Sequence, residues 1–276
     1  MRYTSYTHDG VDAVGVREGD SIVPLEGICD IGPDVSAQVL AQARRLTAEA
    51  VPASEVVLRP AVTRPAKIIC VGLNYKAHLE ESGRKDSDYP VLFTKFAQSL
   101  IGAADDIVLP PEAGFFDYEG ELAVVIGTAG RRIAESDALS HVLGLSVAND
   151  TTVRDYQYLT HQWLQGKAWD DSTPLGPDIV TLDEADAASG RIRTLVNDVL
   201  VQDSDLSHFI FPVAYLVSTI SVFTELLPGD VILTGTPGGV GYRSDPPLAL
   251  GDGDVVTVEI GGVGSITNTV RAERRA

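Results

Sequence analysis

Basic residues are scarce in this chain: 276 residues carry 21 Lys+Arg against 39 Asp+Glu, a formal charge of −18. No basic stripe is available to neutralise phosphates, and a chain this negative repels nucleic acid and anionic membrane alike, so neither is an expected partner. Long apolar runs are also missing. Leu122–Gly127 and Val142–Val147 fall far short of the roughly 20 residues that a spanning helix needs. Met1–Gly10 is polar and has no basic-then-apolar leader pattern, which points to the cytoplasm. The two cysteines, Cys29 and Cys70, form no metal-type spacing and are expected to be buried free thiols.

What is present is enough apolar sequence for a sizeable core, 44% of the residues, together with 26 glycines and 15 prolines. That balance predicts a β-rich fold with many turns. Arg2–Tyr6, Val11–Val16 and Ser21–Leu25 read as a meander joined by Asp9-Gly10 and Glu18-Gly19-Asp20. A helix is expected from a cap at Asp34 to Glu49, then an extended linker punctuated by Pro52, Pro60 and Pro65. These segments define a small N-terminal α/β domain, 1–62, before a larger domain, 63–276. Strands are expected at Ile68–Val71, Val91–Thr94, Asp106–Leu109, Glu119–Ile126, Leu143–Ala148, Asp230–Thr234 and Val255–Ile260. Helices are expected at about Tyr75–Ser82, Thr152–Leu159 and Phe211–Leu226. Strand and crossover helix do not alternate, which disfavours a doubly wound parallel sheet.

The strongest chemical signal is Asp117-Tyr118-Glu119-Gly120-Glu121, running into an apolar strand. Alternation puts its three carboxylates on one face and Gly120 on the other. Such a face is either solvated or compensated by a hard divalent cation with oxygen ligands. Asn149-Asp150 ends a second apolar strand, as a turn and cap or as a third carboxylate. His78 and Glu81, at i and i+3, form a surface pair or a base with its orienting acid. Lys167, amid Gly166, Ala168 and Trp169, either snorkels or serves a site. Thr234-Gly235-Thr236-Pro237-Gly238-Gly239 alone is a turn at a strand end.

In this order, from about Pro65 to Val270, the segments resemble the fumarylacetoacetate hydrolase family. Its landmarks here are Val71-Gly72-Leu73-Asn74-Tyr75 with His78, Asp117–Glu121, Asn149-Asp150 with Arg154-Asp155 and Gln157, and Gly166-Lys167. Further on come Pro174–Pro177, Pro228-Gly229-Asp230, Thr234–Pro237 and Leu250–Asp254. The resemblance implies metal ligands at Glu119, Glu121 and Asp150, holding Mg²⁺ or else Mn²⁺ or Ca²⁺. It implies catalytic roles for Lys167, His78 and Glu81, and substrate contacts at Gln157 and Thr236. Trp169 stands where the family usually has Phe, a change expected to touch the pocket wall.

The fold implied is α+β and β-rich, a mixed β-sandwich roll with peripheral helices, in a homodimer. The activity implied is on a small keto acid. The leading expectation is metal-dependent hydrolysis of a C–C bond in a 2,4-diketo acid of the acylpyruvate or fumarylpyruvate type, through an enolate that the metal stabilises. The alternatives share that enolate: oxaloacetate decarboxylation or tautomerisation, or isomerisation of a 2-hydroxyhepta-2,4-diene-1,7-dioate from aromatic catabolism. A non-catalytic metal or keto-acid binder would have no need of His78, Glu81 and Lys167 together.

Overall fold

A computed structural model of the chain describes residues 1–82 and 88–274. The apolar run after Glu119 is the strand Gly120–Ile126, buried along its whole length. Its side chains alternate between two cores. Leu122, Val124 and Ile126 enter one with Ile192, Val258 and Ile266, while Ala123 and Val125 enter another with Ile31, Leu40 and Ile179. A strand covered on both faces has no need of polar alternation, which is why it reads as a continuous run.

This strand lies in a 12-stranded sheet. The order runs from Val51–Pro52 through Ser21–Pro24, Val11–Glu18, Arg2–His8, Thr173–Val180 and Val142–Asn149 to Gly120–Ile126, then Val231–Leu233, Ile68–Gly72 and Val91–Lys95. Along that path only Val231–Leu233 and Ile68–Gly72 pair in parallel. A second, five-stranded sheet holds Val199–Asp205, Arg191–Val196, Val255–Ile260, Gly264–Ala272 and Ile107–Leu109. Its apolar residues pack against the first sheet, making the β-rich sandwich roll. The helix Val213–Phe223 sits at the periphery and buries Val213, Leu216, Val217 and Ile220, the spacing of a single helical face. Among the described residues no helix is long and apolar enough to cross a membrane.

The meander at the start forms as expected. Asp9 and Gly10, at φ 49° and 76°, make the two-residue turn that matches strand twist. Arg2–His8 then pairs with Thr173–Val180, so the strands of the N-terminal segment extend the main sheet.

Several local expectations need correction. The helix drawn from Asp34 to Glu49 is only Ala37–Gln42, capped by Ser36, whose side chain accepts the Val39 N–H. Asp34 instead holds Arg64 at 2.8 Å. The helix buries Leu40 alone, and the backbone after it finds sheet partners, Leu46 donating to Pro24 O at 2.9 Å. The proline-rich stretch contributes Val51–Pro52 and Val57–Leu58 to the sheet edge. Thr152 and Val153 pair with Phe116–Asp117, so the helix there starts only at Arg154 and ends at Gln157. Cys70 is buried in a central strand, but Cys29 lies in a loop and is exposed.

Candidate active site

The carboxylates meet because of strand register. Gly120 pairs with Asn149 and Glu121 with Ala148, which sets Glu119 opposite Asp150, and the Asp150 N–H donates to Glu119 O at 2.8 Å. Opposite residues share a face, and Glu121 is two residues from Glu119 on that same face. Gly120 points the other way, where a Cβ would come within 2.2 Å of Thr194 Oγ1. Glu119, Glu121 and Asp150 are all buried, and each offers an oxygen within 4.8 Å of the others.

Asp117 does not join them. It ends the short strand Phe116–Asp117 and accepts from the Tyr118, Gly241 and Tyr242 N–H groups and from Arg154 Nε at 2.8 Å. Those donors satisfy its charge away from the other three carboxylates.

Cations are interleaved with the acids. Lys167 Nζ lies 2.7 Å from both Glu119 Oε2 and Asp150 Oδ2. Lys95 Nζ lies 2.7 Å from Asp150 Oδ1, and Arg154 reaches Glu119 Oε1 at 2.7 Å. Burial opposes ionisation of Glu119 most strongly, yet the attraction of Lys167, Arg154 and His78 outweighs it and holds the group at about 2. Burial likewise disfavours the charge on Lys167, and Asp150 with Glu119 more than reverses this, so its pKa is raised.

Glu121 is different. Among the described residues its single hydrogen-bond donor is the Gly235 N–H at 2.8 Å, and it has no ion pair. Burial first, then Asp150 and Glu119, push its pKa well above the ordinary carboxylate range. A buried carboxyl short of positive charge, beside two carboxylates and facing no Cys or His ligand cluster, fits a hard divalent cation.

These residues form the floor of a cleft. His78, Glu119, Gln157, Lys167 and Thr236 line it, while Glu121 and Asp150 lie beneath. His78 is on the helix Lys76–Ser82, with Nδ1 3.2 Å from Glu81 Oε2, and Glu81 is braced by the Gly239 N–H at 3.2 Å. Asn74 anchors the start of that helix, accepting the Phe211 N–H at 2.7 Å and donating to Thr234 O at 2.8 Å. Gln157, which lines the cleft, accepts from Arg154 at 3.0 Å, and among the described residues its amide N–H groups have no partner. Thr236 donates to Gly120 O at 3.0 Å and accepts from Gln202 at 2.8 Å, so its hydroxyl hydrogen is already used.

Trp169 does not reach this cleft. Its indole packs edge-on against Tyr156 at 5.1 Å and donates to Gln165 O, while the wall is built by Trp163 and Phe93. The sequence alone does not single out Lys95, and it offers Arg154 only as a landmark. A lysine ending an edge strand carries no local signal, whereas Arg154 lies four residues after Asp150 in the same landmark segment, close enough in sequence to count as an acid partner.

The family model described as fumarylacetoacetate (FAA) hydrolase C-terminal matches residues 67–271, and the chain belongs to the fumarylacetoacetate hydrolase family of enzymes. It is 41% identical over 265 residues to the human protein named oxaloacetate tautomerase FAHD2A, mitochondrial, covering 91% of this chain and 84% of that one. It is 45% identical over 222 residues to the bovine oxaloacetate tautomerase FAHD2B, mitochondrial, covering 79% and 71%. Among solved structures it is similar to 2-hydroxyhepta-2,4-diene-1,7-dioate isomerase from Mycobacterium marinum, with TM-score 0.85, 31% identity and 100% of each chain covered. It is also similar to the fumarylacetoacetate hydrolase of psychrophilic Exiguobacterium antarcticum, with TM-score 0.82, 36% identity, and 99% of this chain and 100% of that one covered.

Proposed function

We propose that the chain interconverts the enol and keto forms of a 2-oxo acid of the oxaloacetate type, with a divalent ion at Glu119, Glu121 and Asp150. The observation that carries this reading is that a lysine locked in its charged form and His78, whose Nδ1 lies 3.2 Å from Glu81, line one cleft above those carboxylates. The names of the human and bovine relatives support tautomerisation over the C–C hydrolysis that leads the sequence reading.

Glu119, Glu121 and Asp150 would hold a divalent ion such as Mg²⁺, which would supply a Lewis acid to the substrate's 2-oxo group. Lys167 is a poor base because Asp150 and Glu119 keep it protonated, and it serves as a fixed donor to the oxygen on which negative charge grows. Glu81 accepts the Nδ1–H of His78, which leaves Nε2 as the exchanging atom. Nε2 takes the enol hydroxyl proton as that oxygen becomes a carbonyl, and the imidazolium so formed gives a proton from Nε2 to C3 and returns to the neutral ring. One proton leaves oxygen and one reaches carbon, with no water consumed.

The test follows oxaloacetate enol, acetylpyruvate and fumarylpyruvate by ultraviolet absorbance with Mg²⁺, an EDTA control and product identification. Faster ketonisation without cleavage or CO₂, abolished by EDTA, is expected. Cleavage of the acylpyruvates would move the assignment to hydrolysis, for which the His78–Glu81 pair would activate water, and CO₂ release would move it to decarboxylation.

A further inference from the structure

One cleft residue has no part in that chemistry. Arg243 closes the short 3₁₀ turn Gly241–Arg243 and lines the same cleft as Lys167, Arg154 and Gln157. In a chain so rich in acid, Arg17, Arg64, Arg154 and Arg191 each hold a carboxylate. Arg243 holds none among the described residues. Its guanidinium sits over the Tyr242 ring, 5.5 Å from the centroid, a contact that restrains the group and leaves its charge unneutralised.

The turn beneath it is tied to the site. Gly241 and Tyr242 donate to Asp117 at 2.8 and 3.0 Å, and Asp117 holds Arg154. Tyr242 is itself packed edge-on by Phe115 at 5.2 Å and tilted against Tyr158 at 5.6 Å. A cation placed in advance in this way loses little freedom when an anion arrives.

Charge counting gives the same direction. Glu119, Glu121, Asp150, Asp117 and Glu81 oppose Lys95, Lys167 and Arg154, leaving two net negative charges when all are ionised and His78 is neutral. A divalent ion would cancel that charge with its own positive centre at the floor, and Arg243 adds a second positive centre at the wall. Two separate positive centres suit a dianion with a carboxylate at each end.

We propose that Arg243 determines specificity by binding the second carboxylate of a 2-oxo dicarboxylate, so that the chain prefers dicarboxylates to 2-oxo monoacids of equal length. The proposal rests on the keto-acid reading above. Its test uses the Mg²⁺-loaded full chain with Arg243→Gln and Arg243→Lys. Loss of one charge-assisted contact should raise the KM for oxaloacetate by about 10- to 100-fold with kcat little changed, and lysine should recover part of it.

Calorimetry with malate and 2-hydroxybutyrate, which differ by carboxylate against methyl, supplies the second readout. Arg243→Gln should erase the preference for malate and leave oxalate, which needs only the floor, bound as before. An unchanged KM with an unchanged malate preference would overturn the proposal, as would equal weakening of malate and 2-hydroxybutyrate. If the wild-type chain binds malate selectively through Arg243 yet does not ketonise oxaloacetate, the tautomerase reading falls and the recognition role stands.

Discussion

Lys95 places its ammonium 2.7 Å from Asp150, and both side chains are wholly removed from solvent. Lys167 takes the other oxygen of the same carboxylate at 2.7 Å. Asp150 is therefore clamped between two cations. Lys95→Met leaves a buried charge short of a partner, which should cost about 3–5 kcal/mol in urea unfolding. The same change removes a positive charge that competes with an incoming ion, so Mg²⁺ affinity should rise and added Mg²⁺ should restore part of the lost stability. An unaltered unfolding midpoint would show that the pair contributes little.

Glu121 predicts a proton exchange. Burial, then the neighbouring Asp150 and Glu119, hold it protonated above the ordinary carboxylate range. An ion that binds its carboxylate displaces that proton. Apparent Mg²⁺ affinity should rise with pH until Glu121 ionises unaided, and calorimetry in buffers of different ionisation enthalpy should detect the released proton. Glu121→Gln should bind Mg²⁺ more weakly and with a flatter pH dependence.

Glu119 predicts behaviour in acid. Despite burial, Lys167, Arg154 and His78 hold its folded pKa at about 2, below the ordinary glutamate value of 4.5. A depressed folded pKa contributes stability that is present in full above 4.5 and is lost as the pH falls through about 2. Urea midpoints measured across that window in EDTA should decline for the wild type, and less steeply for Glu119→Gln. Parallel curves would place the acid sensitivity elsewhere.

Gly120 predicts a steric coupling between the two sheets. An added Cβ would lie 2.2 Å from Thr194 Oγ1 and 3.0 Å from Val258 Cγ1. Thr194 also donates to Gln202 at 2.7 Å, and Gln202 positions Thr236. Gly120→Ala should destabilise by roughly 1–3 kcal/mol or more. Combining it with Thr194→Ala should recover part of that loss, which a double-mutant cycle measures.

The floor of the site was largely legible because its carboxylates belong to two strand ends whose alternation is visible in the chain: Glu119 and Glu121 flank Gly120, and Asp150 closes an apolar run. Lys95 was not, since its partnership with Asp150 exists only through sheet order, across strands far apart in sequence. Gly72 enters the sequence reading only as part of the landmark Val71–Tyr75. Its place in the structure is steric, because a Cβ there would meet the Trp163 ring at 2.5 Å, and Trp163 comes from a distant loop. The helix expected from Asp34 shows the same limit from the other side. Its period was real at Leu40, but tertiary pairing of the backbone after Ala43 ended it.

The two-sided burial of Gly120–Ile126 has a consequence for how the enzyme can change. The amides of this strand, which leads directly from the acidic cluster, exchange with solvent only when both cores open together, so they should be among the last in the molecule to exchange. The walls are short helices and an exposed turn carrying Tyr158, Tyr242 and Arg243. Altered substrate preference can therefore arise by exchanging wall residues one at a time while the acid floor keeps its shape.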